Sequence, residues 1–414
     1  MTYDLGDAGL LLRPDVLLDP KPLHDQLRRE APIWQIPGQD TFVVSDPKLI
    51  REAVGRPDDF SSNIVFVLHD DGNGCPVPHR ISNYRDPIHV LSTADPPDHT
   101  RHRRMVQPNF SPAALAELES EIERIVDDHL ARVLERERLD VVAAFSDPVP
   151  AATVCAILGL PASDVPTILR VTLGTGALLD GVTDASGIAA AGESAMELGM
   201  FTHGRLQESL ALPVEERRGI LGWLAGQMDS GELTEIEVLS MLTVFVSAGS
   251  ETTASLLATA IETLARDPEL QERLRQDPSG IPDAIELMLR EDGPFQFHFR
   301  YVPNDTSLGG TVIPAGSRVL LMWAAANRPA PGAAEWSAVV SESDSGRIPP
   351  HFAFGRGIHF CIGAPVARLE ARVALTRLLA ATRSFAIDPD SPPTRRPSIF
   401  IRRHATLPLV VEPA

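Results

Sequence analysis

One segment constrains the architecture of this chain more than any other. Thr234 and Glu237 form a capping box, and the helical pattern that begins there runs without a breaker to Asp267-Pro268. At ~1.5 Å per residue, residues 233–266 make a rod on the order of 50 Å long. Residues 241–248 are almost wholly apolar, so the rod has no polar face there and must pass through the core. Directly after comes Ala248-Gly249-Ser250-Glu251-Thr252-Thr253. Glycine costs a helix interior about 1 kcal/mol relative to alanine, and a buried acid flanked by hydroxyls requires partners. Two readings are open. In one, small residues admit a second helix and the threonines bond back to the preceding turn. In the other, the helix opens locally beside a small ligand, with an acid and an alcohol placed to pass protons.

A chain folded around such a rod is mainly α. Helical periodicity also marks 113–135, 162–179, 191–210, 220–230, 268–275, 282–290 and 364–383. Strand-like runs are confined to 41–44, 318–322 and 405–411, which predicts a mainly α fold with a small β part. No Gly/Ser- or Pro-rich linker divides the 414 residues, so 1–414 reads as a single domain with irregular stretches at 69–87 and 329–350. A net charge of −19 argues against binding to nucleic acid or to an anionic membrane surface. No uninterrupted apolar run approaches the roughly 20 residues that span a bilayer. The start of the chain is broken by Asp4, Asp7, Arg13 and Asp15, so neither a membrane anchor nor a signal peptide is expected. Cys75, Cys155 and Cys361 are too few and too scattered for a disulfide framework or a zinc site, which suits a cytoplasmic protein with reduced thiols.

A second signal lies at 351–363, where a glycine-punctuated loop delivers Cys361 to the start of the predicted 364–383 helix. Free N–H groups and the positive dipole end of a helix favour a thiolate, and the glycines let backbone lie against something flat. A lone buried cysteine is otherwise a small inert core residue. The spacing Phe354-x-x-Gly357-x-His359-x-Cys361-x-Gly363 is far more specific than that.

That loop resembles the cysteine-ligand loop of the cytochrome P-450 family. Ala248, Gly249, Glu251 and Thr252 lie in a segment similar to the family's oxygen-activating helix, and Asp95-Pro96-Pro97-Asp98-His99-Thr100-Arg101-His102-Arg103-Arg104 resembles the start of its heme-contacting helix. Residues 55–63 and 397–403 look most like soluble actinobacterial members. The resemblance implies the P-450 fold and heme b (iron protoporphyrin IX), with Cys361 as the axial iron ligand. It implies that His99, Arg103, Arg300 and His359 hold the heme propionates, and that Phe354, Gly357 and Gly363 shape the loop beneath the ring. Glu251 and Thr252 match the acid and alcohol that deliver protons during O2 activation. It further implies a monooxygenase fed by a ferredoxin and an NAD(P)H-dependent ferredoxin reductase. Arg101, His102, Arg103, Arg104 and Arg356 form a basic cluster in an acidic chain, to which an acidic ferredoxin could be steered.

The sequence also departs from the family. The resemblance implies a Glu-x-x-Arg pair that locks onto an arginine further on, and here Arg290 is in place while the Glu position holds Leu287. The expected Asn-Arg-Asp-Pro reads Asn327-Arg328-Pro329-Ala330. Stranding one partner of a buried pair costs about 3–5 kcal/mol, so the network reads as replaced as a unit. Glu286, four residues before Arg290, is the candidate substitute, with Arg347 as a late partner. By analogy the substrate pocket is lined by 66–69, Leu178, Leu179, Phe245, Phe295, Phe297, His298 and Phe400, mostly apolar, which predicts a small apolar substrate. Each of these fits plain core equally well. A heme-binding sensor or ligand-binding module with little turnover is the competing reading, and the retained Glu251 and Thr252 speak against it.

Overall fold

The computed structural model describes residues 2–81, 87–330 and 348–414. The rod is a helix from Glu235 to Arg266, capped as its sequence requires: Glu237 Oε2 accepts the Thr234 N–H at 2.8 Å, and Thr234 Oγ1 accepts the Glu237 N–H at 3.4 Å. Asp267 ends it and caps the next helix, Pro268–Gln276, by accepting from the Leu270 N–H. By length and composition the rod is apolar enough to cross a bilayer, but 61% of its apolar window is buried inside the protein. It is therefore the core helix that the pattern predicts. Helices Pro148–Leu158, Val165–Gly176, Ala185–Leu210, Gly219–Asp229, Ile281–Asp292 and Ala364–Ala381 pack around it.

Two apolar clusters meet along the rod. Val238, Met241, Leu242 and Val246 pack with Val154, Leu158, Ile168 and Leu206. Leu256, Leu257, Ile261 and Leu264 pack with Val126, Phe145, Leu375 and Leu379. Each such side chain contributes about 1.5–3 kcal/mol on burial. Neither cluster includes residues 247–253, so the polar hexad occupies the break between the two halves of the core.

The β part is peripheral. A four-stranded sheet runs Ile33–Gln35, Thr41–Val44, Arg318–Leu321, His298–Tyr301, with the middle pair parallel and the outer pairs antiparallel. It carries Arg300 on its last strand. A three-stranded antiparallel sheet joins Thr382–Ile387, Pro408–Pro413 and Arg138–Asp140.

The structure adds a helix that periodicity did not show and corrects three sequence expectations. Helix Pro148–Leu158 shows no amphipathic period because eight of its residues are buried on all sides, so periodicity could not reveal it. The stretch at 69–87 holds part of a hairpin, Phe66–Asp70 against Pro76–Arg80, whose turn is built by Asp70 and Asp71 carboxylates accepting backbone N–H groups. The predicted 364–383 helix stops at Ala381, where strand Thr382–Ile387 begins. The 405–411 run divides into His404–Thr406 and Pro408–Pro413, which belong to different sheets.

Candidate functional site

The Cys361 loop owes its path to two left-handed glycines, Gly355 at φ 67° and Gly357 at φ 76°. At Gly357 a Cβ would also lie 3.2 Å from the Val54 carbonyl oxygen, so a side chain is disfavoured twice. The Cys361 N–H donates to the Phe354 carbonyl at 2.9 Å, and Gly363 is the N-cap of helix Ala364–Ala381. Burial pushes the Cys361 thiol up, while the N–H groups of Gly363 and Ala364 and the guanidinium groups of Arg103 and Arg368 pull it back. Cys361 is enclosed by the fold yet keeps accessible surface. So does Ala248, in the middle of the core helix.

Around this loop the structure gathers hydrogen-bond donors. His99 and Arg103 sit one turn apart on helix Asp98–Val106; the His99 ring lies 4.2 Å from that of His359, and Arg103 Nη1 donates to the Phe360 carbonyl at 2.6 Å. Arg300 is buried and donates Nη1 to the Phe299 carbonyl at 2.7 Å. Burial lowers His359 to about 3, and Arg300, His99, His298 and Arg103 push it further the same way. Burial likewise lowers Arg300 to about 10, against the pull of Asp95. His359 Nε2 is buried with no partner among the described residues. Donors that mutually disfavour charge, with one left unpaired, suit a bound dianion such as the two carboxylates of heme. Asp95, the first residue of the segment that holds His99 and Arg103, has a role the motif did not assign; it accepts from Ser62 N–H at 2.8 Å and from Ser61 Oγ, tying the chain before this helix in place.

On the core helix both readings of the hexad find support. A Cβ at Gly249 would meet Val154 Cγ2 at 2.7 Å, so the glycine admits helix Pro148–Leu158. Thr252 Oγ1 donates back to the Ala248 carbonyl at 2.9 Å. Glu251 is different: burial pushes it up to about 7, with Asp180 and Asp147 acting the same way and Arg403 and Arg396 opposing. A carboxyl with that affinity holds or releases a proton near neutrality.

Other expectations are redirected. Arg101 is not a free docking charge: it bonds Glu237, the capping-box acid, and the Glu232 carbonyl at 2.9 Å, while His102 lies 3.2 Å from Glu237. Arg104 and Arg356 do remain exposed. Glu286 does not reach Arg290; it pairs with Arg368 and His351. Arg290 instead donates to the carbonyls of Pro349 and Pro350 at 2.9 and 2.6 Å. Arg328 is held by Asp25, and Asn327 accepts from Phe352 N–H. Arg347 lies outside the described residues. Among the pocket candidates Phe297 is fully buried core, edge-on to Phe299 and Phe400. Leu178, Phe295 and Phe400 share its cluster, whereas Phe245 belongs to another and stacks on Phe110. His298, stacked on Phe295, accepts the Trp323 indole N–H on Nδ1 at 2.7 Å.

Comparison with known proteins converges on one family. The cytochrome P-450 sequence profile matches residues 205–281 and 284–404. Cytochrome P-450 144 of Mycobacterium tuberculosis is 32% identical over 411 residues, covering 98% of this chain and 92% of that protein. Cytochrome P-450 109 of Bacillus spizizenii is 31% identical over 369 residues, covering 88% and 84%. The solved structure of CYP108D1 from Novosphingobium aromaticivorans superposes with a TM-score of 0.82 at 26% identity, covering 99% of this chain and 98% of that one. CYP109E1 from Bacillus megaterium, solved in complex with testosterone, gives 0.81 at 25% identity, covering 96% and 98%. A Cys-loop set in a ring of donors, on this fold and with these relatives, has one consistent interpretation: the chain belongs to the cytochrome P-450 family, heme b monooxygenases that use O2.

Proposed function

We propose that residues 1–414 act as one domain, a cytoplasmic monooxygenase that transfers one oxygen atom to a small apolar substrate. Its electrons come from a ferredoxin reduced by an NAD(P)H-dependent ferredoxin reductase. The observation that carries this reading is the convergence of His99, Arg103, Arg300 and the unpartnered His359 Nε2 beside Cys361. Cys361 would hold the heme iron as its thiolate, supported by the N–H groups of Gly363 and Ala364, and the four donors would hold the propionates. Ala248 and Gly249 would lie along one face of the group and Phe354, Gly357 and Gly363 along the other. When bound, heme supplies the one-electron and dioxygen chemistry that no side chain here offers.

The chain's own residues supply position and protons. Thr252, its hydroxyl proton directed to Ala248, keeps oxygen lone pairs available to accept a hydrogen bond. Glu251, one residue before it, is pushed up to about 7 and can therefore take up a proton near neutrality and replace one passed inward. The aromatic side chains of Phe295, Phe400 and Phe245 favour an apolar guest. The testosterone bound to CYP109E1 is consistent with that class.

The test is spectral. Reduction under carbon monoxide should give the red-shifted band of a thiolate-ligated heme, and Cys361→Ala should lose it. An unchanged spectrum in the variant would remove the assignment. NADH consumption with a surrogate ferredoxin and reductase separates a turning enzyme from a heme-binding sensor.

A further inference from the structure

The carboxyl of Glu251 is held by groups to which the family resemblance assigns no role. Arg403, between strands of the C-terminal segment, places Nη1 3.6 Å from Glu251 Oε1 and Nη2 2.6 Å from Asp147 Oδ2. Asp147 stands at the start of helix Pro148–Leu158. On its other side Glu251 rests on bare backbone, since a Cβ at Gly176 would lie 2.7 Å from Oε2. Asp180 follows the helix that ends at Gly176 and bonds the Ser398 side chain; Arg396 completes the surroundings, and Asp140 faces Asp147 from its strand. Arg403 is buried and Glu251 nearly so, with side-chain exposures of 6% and 12%. Arg396, Ser398 and Arg403 also line part of a cavity of about 30 Å³, enough to hold water.

Charge counting shows what this cluster must do. Glu251, Asp147 and Asp180 are three largely buried carboxyls; of the two guanidinium groups that act on Glu251, Arg403 is buried and Arg396 is exposed. Full ionisation would leave an unbalanced buried negative charge, which is costly. One proton on one acid removes it. Burial raises all three acids, and Asp147 is the one that Arg403 grips most closely, which leaves the proton to Glu251 or Asp180.

We propose that Arg403, held by Asp147, is a positioning residue that keeps Glu251 seated against Gly176 as the proton-holding member of this cluster, and so sets the pH range over which it can hand a proton toward Thr252. The functional part rests on the relay role of Glu251 proposed above. Neutralising Asp147 leaves Arg403 free to pair fully with Glu251 and to hold it ionised. Removing the Arg403 charge leaves three acids with one guanidinium, so Glu251 keeps its proton to higher pH. The two changes act in opposite directions, which a general loss of packing does not do.

Infrared titration of the holoenzyme can read this without knowledge of the substrate. The C=O band of protonated carboxyls is followed against pH, and the Glu251 component is the part lost in Glu251→Gln. In the wild type it should titrate at about 7. Asp147→Asn should move it down, and Arg403→Gln up, each by about one pH unit, with Arg403→Lys close to wild type. Intact reduced-carbonyl spectra identify the folded variants; if Arg403→Gln does not fold, Asp147→Asn and Arg403→Lys carry the test. Shifts in the same direction, or none, overturn the proposal. If the band moves as described but Glu251→Gln still consumes NADH and O2 at the wild-type rate, the positioning stands and the relay reading fails.

Discussion

Glu286 closes a bidentate pair with Arg368, Nε to Oε1 at 2.6 Å and Nη2 to Oε2 at 2.9 Å. The same carboxylate lies 3.1 Å from His351 Nε2, and the Arg368 guanidinium sits 4.4 Å from the centroid of the Phe354 ring. Helix Ile281–Asp292 is thereby tied to both flanks of the Cys361 loop, a connection made without a Glu at position 287. Burial alone would raise Glu286; His351 and Arg368 outweigh it and hold the acid at about 2. Glu286→Ala should cost about 1–2 kcal/mol in denaturant unfolding, less than a fully buried pair because both side chains are partly exposed. The same variant should release heme faster to an apo-globin trap. Unchanged heme retention would show that this tie is irrelevant to the loop.

Arg101 and Arg104 should separate structural from docking charge. Arg101→Gln removes a bond to the capping acid of the core helix and should lower stability by about 1 kcal/mol. It should leave electron transfer from a surrogate ferredoxin nearly unchanged. Arg104→Glu, on an exposed position, should do the reverse, slowing that transfer at low salt and not at high salt. Stopped-flow reduction at two ionic strengths, beside thermal melts, checks both.

Periodicity and capping chemistry made the core helix legible to within two residues, because its signals are local. Helix Pro148–Leu158 was not, since a segment buried all round has no polar face to set its phase. The Cys361 loop could be read because its residues resemble a family motif, in which Gly357 answers a left-handed backbone requirement. The company kept by Glu251 could not: Asp147, Asp180 and Arg403 come from segments far apart in the chain, and no spacing connects them. The same holds for Glu286, whose partner lies 82 residues away rather than one turn along its own helix.

Acid should unfold this protein through a small set of partly buried carboxylates. Glu237, Glu262 and Glu286 are each held at about 2; burial opposes this in all three and is outweighed by hydrogen bonds and cations, chiefly from Thr234 and Arg101, from His404 and Arg395, and from His351 and Arg368. In the unfolded chain a glutamate titrates near 4.3. The folded values are depressed, so the stabilisation is complete above the unfolded pKa and is lost as pH falls through the folded values. Stability should therefore drop between about pH 4.3 and 2, with roughly one proton taken up per group on unfolding. Glu262→Gln should be less stable at pH 7 and should show a shallower acid limb in denaturant titrations over that range.

Gly249 allows a sharper test of why the core helix carries a glycine. Alanine there would gain about 1 kcal/mol of helix propensity. It would also put a methyl 2.7 Å from Val154 Cγ2, on a β-branched side chain with little rotational freedom inside a packed helix. Overpacking of this kind costs about 1–3 kcal/mol, so Gly249→Ala should be net destabilising. Val154→Ala opens the space that the new methyl needs. The double variant should then be more stable than the sum of the single changes allows, by at least about 1 kcal/mol of coupling. If helix approach is the reason for the glycine, that coupling appears in denaturant unfolding of the heme-loaded protein, with its reduced-carbonyl spectrum intact. Strict additivity would mean that Val154 does not limit position 249 and that helix approach is not the reason for the glycine.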